Sequence, residues 1–196
     1  MRFSPSSART FTVAASGLVA AAGLAYPFLI YFYGDRVPAI IFVAGALVLI
    51  GLQLTVLRSP VARLWRAPLL VSAALMVIVA LLDQRLAREA YPVVQSLSAA
   101  GIFAWSLASP PSLIERFARL RHPELPAAAR SYCRAVTVLW SGWLVLNAAI
   151  AAALAVRGDV TSWTIWTGGV SYAISGLLFV GEFSYRMLIL EKQARP

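Results

Sequence analysis

Apolar residues fall into six long runs along the chain, broken by short segments rich in Arg, Asp, Pro and Gly. The runs cover about 11–33, 38–57, 67–82, 91–109, 133–156 and 163–185. Most reach the ~17–25 residues that a helix needs to cross a bilayer. The third is short, with 16 clearly apolar residues. The pattern predicts an all-α polytopic membrane helix bundle: six transmembrane helices in a single integral membrane domain over 1–196. The first run, Phe11 to Tyr33, is longer than the ~7–15-residue apolar stretch of a secretory signal and is read as a retained span.

Proline and glycine punctuate the runs. Pro27 interrupts the first span and is expected to kink it or end its regular part. Tyr91-Pro92 opens the fourth, where proline suits a helix start. The pairs Tyr26-Pro27 and Tyr91-Pro92 both lie toward the outer ends of their spans, a structural echo between spans 1 and 4. Ala127-Ala128-Ala129 favours helix, so the fifth helix is expected to start near Pro126. Arg157-Gly158-Asp159 reads as a tight outer turn.

Charge fixes the expected orientation. Threading the spans alternately puts 13 of the 17 Lys+Arg on one side and only Arg36, Arg85, Arg88 and Arg157 on the other. Acidic residues divide 4 and 4, so one face carries +9 and the other zero. Basic residues favour the cytoplasmic side, which places both termini in the cytoplasm. Apolar residues make up 60% of the chain and charged residues 13%, against about 45–50% and about 25% in soluble domains. The basic residues flank spans, so topology accounts for them and nucleic acid is not an expected partner. Membrane lipid is, and a homo-oligomer is compatible with the pattern.

The longest polar stretch, 110–134, is too short for a core of its own. It holds five arginines: Arg116, Arg119, Arg121, Arg130 and Arg134. Ser112 and Glu115 have the spacing of a capping box. Leu113, Phe117 and Leu120 recur at helical spacing, with Glu115, Arg116 and Arg119 opposite. The segment 110–125 is therefore predicted to be a short amphipathic helix on the inner membrane surface. It is either an interfacial anchor or a docking site for an anionic partner.

Intramembrane polar residues are the other candidates. Glu182 lies about a turn from the cytoplasmic end of span 6, where an ionisable group requires a partner. Arg186 at i+4 and Arg134 are the candidates for that pairing, and a substrate or proton role is the alternative. Asn147 and Gln53 are expected to form interhelical hydrogen bonds. Gly168-Gly169 and Ser175-Gly176 read as close-packing positions. One histidine, His122, and one cysteine, Cys133, leave no metal-binding pattern, and no nucleophile elbow or phosphate loop is present. No cofactor is expected, and no catalytic residue stands out.

Several motifs together resemble one bacterial inner-membrane family. They are Pro110 to Leu120, Pro123-Glu124-Leu125-Pro126, Tyr132 with Arg134-Ala135-Val136-Thr137, Asn147, Gly181-Glu182-Phe183 with Arg186, and Tyr26-Pro27. That family has no assigned activity and is encoded beside aryl-polyene or xanthomonadin-type pigment genes, whose enzymes resemble a type II fatty-acid synthase. The resemblance implies a non-catalytic accessory role in polyene or fatty-acyl lipid biosynthesis, recruiting acyl carrier protein or acyl-chain enzymes at the cytoplasmic face. A small transporter or flippase for a lipid or polyene product is the alternative, and an integral-membrane acyl- or glycosyl-transferase ranks below both.

Overall fold

The computed structural model describes residues 5–56, 66–120 and 122–185, and these contain helices and no strand. The helices are α1 (Pro5–Tyr33), α2 (Ala39–Val56), α3 (Arg66–Leu82), α4 (Gln84–Ala108), α5 (Leu113–Arg119), α6 (Ala127–Arg157), α7 (Val160–Ile165) and α8 (Ser171–Tyr185). A π-helical turn, Trp166–Val170, joins α7 to α8.

The outer surface is apolar. Leu81, Leu82, Leu177 and Val156 are more than 70% exposed, and such side chains recur on every long helix. Ser72, Glu89, Ser106, Thr137, Thr164, Thr167 and Ser171 are buried instead. This inverts the usual soluble arrangement and is compatible with a protein in lipid. By length and composition, α6 and the α7–α8 unit can each cross a membrane. The pair α4 and α5, bent by 79°, counts as a third. The apolar stretches of α1, α2 and α3 are shorter.

Helix α4 is central and packs against α3, α6 and α2, while α1 closes the bundle against α2, α7 and the π-helical turn. Buried Tyr26, Ile30, Phe42, Ala46, Ile50, Met76, Ala87, Tyr91 and Trp163 form its core.

Helix boundaries differ from the sequence expectation where polar residues cap rather than interrupt. Asp83 is the N-cap of α4, accepting from the amides of Arg85 at 2.8 Å and Leu86 at 3.1 Å. The helix therefore begins seven residues before position 91, and Pro92 sits inside it. Likewise α1 continues through Pro27 to Tyr33. Gly158 ends α6 with φ of 72°, a conformation that favours glycine, and the Arg85 guanidinium fills the space where a Cβ would stand.

The segment after α4 is shorter and differently faced than expected. Its helix covers only Leu113–Arg119, and the Ser112 side chain makes no capping bond. The predicted capping box does not form: the Ser112 hydroxyl has no partner among the described residues, and Glu115 Oε1 accepts from Arg119 at 2.7 Å. Leu113 and Glu115 are buried, whereas Phe117 and Leu120 are exposed. The Leu113–Phe117–Leu120 stripe is therefore split between inside and outside.

Candidate functional site

The two Tyr-Pro pairs meet. A proline ring removes an amide hydrogen and deprives the carbonyl four residues earlier of its helical donor. Pro27 does this to Gly23 and Pro92 does it to Arg88. The Tyr26 hydroxyl donates to the Arg88 carbonyl at 2.8 Å, and the Tyr26 ring lies 4.9 Å from the Tyr91 ring. The orphaned carbonyl of one helix is thus satisfied by the tyrosine that precedes the proline of the other.

From Tyr91 a polar chain links two helices. Gln53 on α2 and Gln95 on α4 donate to the Tyr91 hydroxyl at 3.4 and 3.2 Å. The Gln95 amide also donates to the Gln53 carbonyl oxygen at 3.0 Å. The Tyr91 oxygen accepts from both amides, and its own hydrogen has no acceptor among the described residues. Opposite, near the middle of α6, Asn147 donates to Ser96 at 2.9 Å and accepts from the Trp166 indole at 2.9 Å. Trp143 donates to Ser175 at 2.9 Å.

The π-helical turn shapes this side. Such turns interrupt the regular helix and often mark functional sites. Here it places Thr167, Ser171 and Tyr172 toward the same space. A Cβ on Gly168 would lie 2.9 Å from the Phe28 ring, so the α1 side chain seats directly on the backbone.

Between these walls lies a cleft of about 600 Å³. Its polar residues are Gln53, Tyr91, Gln95, Ser96, Asn147, Thr167, Ser171, Tyr172 and Ser175, and the remainder are apolar or proline. Among the described residues no Asp, Glu, Lys, Arg or His lines it. Amide, hydroxyl and phenol groups can exchange hydrogen bonds with a carbonyl or hydroxyl. Without a charged partner, they cannot hold an ionised group in an apolar surrounding.

The sequence-predicted residues are dispersed. Asn147 and Gln53 both make interhelical bonds at the cleft. Glu182 is outside it and accepts from the Tyr132 hydroxyl at 3.1 Å. Arg134 does not reach Glu182, since it donates to the Leu107 carbonyl at 3.0 Å. Arg186 and Arg121 lie outside the described residues. Arg116 donates to the carbonyls of Pro111 and Ser109, each at 2.7 Å. Arg116 and Arg134 therefore satisfy carbonyls at the C-terminal end of α4, where cations also meet the helix dipole favourably. Arg119 is paired with Glu115, and Arg130 is exposed. His122 is exposed and Cys133 is buried. Among the described residues no group of three or more His, Cys, Asp or Glu could hold a metal.

Tyr91, Gln95 and Ser96 were not among the sequence candidates. Their signal was the repeated Tyr-Pro pair, followed in α4 by Gln95 four residues after Tyr91. Glu89 was also missed. It is fully buried, with Oε1 3.4 Å from the Arg88 Nε and no partner for Oε2 among the described residues. Comparison with protein-family models, curated proteins and solved structures found no match to this chain.

Proposed function

We propose that the chain is a six-span protein of the bacterial cytoplasmic membrane, with both termini inside, that binds an amphipathic lipid-type molecule in the cleft as a small transporter. The observation that carries this reading is the cleft itself: an uncharged polar lining gathered from four helices and the π-helical turn in a chain whose exterior is apolar. Polar residues inside a membrane protein commonly mark a ligand path. The bound part of the ligand is neutral and carries hydroxyl or carbonyl groups that can take the spare Tyr91 hydrogen. The family resemblance supports a polyene or fatty-acyl product as that ligand.

Recruitment of acidic acyl-carrier partners is the second reading, carried by five arginines within 110–134. It has less support, because Arg116 and Arg134 terminate α4 and Arg119 is paired.

The test is a deletion strain complemented with wild type, Asn147→Leu or Gln53→Leu, with lipids profiled by compartment. Finished product retained at the inner membrane in the deletion and in both variants is expected. Accumulation of carrier-bound intermediates would overturn transport in favour of the docking reading.

A further inference from the structure

A second groove lies between α3 and α4 and shares no lining residue with the cleft. Its volume is about 550 Å³. Its walls include Ala67, Val71 and Leu75 on α3, and Leu97, Gly101 and Trp105 on α4. Val71, Leu75, Leu97 and Trp105 are exposed at 55, 37, 44 and 53%, so no other part of the described chain covers it. A Cβ on Gly101 would meet nothing within 4 Å. From Ala67 to Leu75 the groove extends about 12 Å along the helix, most of one ~15 Å half of a bilayer core.

One end of the groove is basic. Arg66 directly precedes Ala67 and is exposed as the first residue of α3. The Arg116 guanidinium stands 5.3 Å from the centre of the Trp105 ring. Its Nε and Nη2 are engaged by backbone carbonyls, and its Nη1 has no partner among the described residues. In the topology proposed above, on which this inference rests, that end faces the cytoplasm. The Glu115 carboxylate nearest in sequence is already tied to Arg119.

We propose that this groove is a binding site for an anionic glycerophospholipid of the inner leaflet. One acyl chain lies along the apolar walls, and the phosphate lies at the mouth between Arg66 and Arg116. Guanidinium donors suit a phosphate oxygen, and basic pockets at the cytoplasmic ends of helices attract anionic headgroups. The two charges answer why the site selects headgroup, and the wall length answers why the ligand is a lipid rather than free phosphate.

The test is native mass spectrometry of the full chain in detergent, titrated with phosphatidylglycerol or phosphatidylcholine of matched acyl chains. Wild type should favour phosphatidylglycerol by roughly tenfold. Gly101→Leu fills the groove and should remove that binding. Val71→Trp closes it from α3 and should do the same if the first variant fails to fold. Arg66→Gln should lower phosphatidylglycerol binding toward the phosphatidylcholine level, leaving the latter unchanged. Equal retention of both lipids by wild type would overturn the proposal, and so would wild-type phosphatidylglycerol binding in both groove-filling variants. A change of oligomeric state in those variants with lipid binding intact would instead assign the groove to contact between copies. Failure of the cleft variants to affect transport would leave this outcome untouched, since the two sites share no lining residue.

Discussion

Tyr26 completes a helix that is not its own. Its hydroxyl donates at 2.8 Å to the Arg88 carbonyl, which Pro92 has deprived of its donor. Tyr26→Phe removes that bond and should cost about 1–3 kcal/mol, the penalty of an unsatisfied buried carbonyl. Pro92→Ala restores an amide hydrogen that can bond Arg88 within α4. The Tyr26→Phe cost should therefore shrink in the Pro92→Ala background. A double-mutant cycle on thermal unfolding in detergent measures the coupling, and equal costs in the two backgrounds would contradict the relationship.

The π-helical turn predicts a contrast between adjacent glycines. Gly168→Ala presses a methyl against Phe28, 2.9 Å from the new carbon. Gly169→Ala meets nothing within 4 Å. The first should destabilise by about 1–3 kcal/mol, as overpacking does, and the second should be neutral or slightly stabilising. Phe28→Leu should rescue most of the Gly168→Ala loss in melting experiments, since it withdraws the ring that the methyl strikes.

Glu89 and Arg88 should respond unequally. Glu89 is fully buried with one carboxylate oxygen unpartnered. Arg88 also donates to the Gly34 carbonyl at 2.8 Å. Arg88→Ala strands both groups and should cost about 3–5 kcal/mol. Glu89→Gln keeps the shape with less charge to desolvate and should lie within about 1 kcal/mol of wild type. Comparable losses in the two variants, read as unfolding midpoints, would refute this asymmetry.

Asp159 makes a pH prediction in the turn before α7. Its carboxylate accepts from the Ser162 amide at 2.9 Å, and hydrogen bonding from Ser162 holds its pKa below the ordinary 3.8. A depressed carboxylate stabilises the fold above its ordinary value and loses that contribution as pH falls through the folded value. Asp159→Ala should melt below wild type at neutral pH, and the gap should close in acid below pH 3.8. Asp159→Asn retains a good cap and should show no such pH step.

Much of the helical framework was legible because apolar run length reports it directly. The runs at 38–57 and 67–82 became α2 and α3 within a residue or so at each end. The start of α4 was not, since Asp83 looks like a loop residue until its side chain is seen capping. The capping box at Ser112 did not form, and spacing cannot show that Glu115 accepts from Arg119. Asn147 and Gln53 were legible as interhelical hydrogen-bonding residues, but the cleft they border was not. What sequence could not provide was rotation. Nothing in one dimension says that Gln53, Tyr91 and Gln95 face one another, or that Glu182 faces Tyr132 and not Arg134. The arginines were conspicuous by count, but their work on the carbonyls of Leu107, Ser109 and Pro111 depends on a 79° bend between α4 and α5.

The π-helical turn has a consequence for register. A π turn holds one more residue than an α turn, and each residue rotates an α-helix by about 100°. Every side chain of α8 therefore faces a direction set by the five residues Trp166–Val170. Winding the same five residues as an uninterrupted α-helix, with none deleted, would turn α8 by about 100°. Ser171 and Ser175 would then swing away from the cleft, whereas deleting Gly169 along with the change would leave them facing it. The chemistry of that wall depends on the π-helical winding as much as on the identity of the serines themselves.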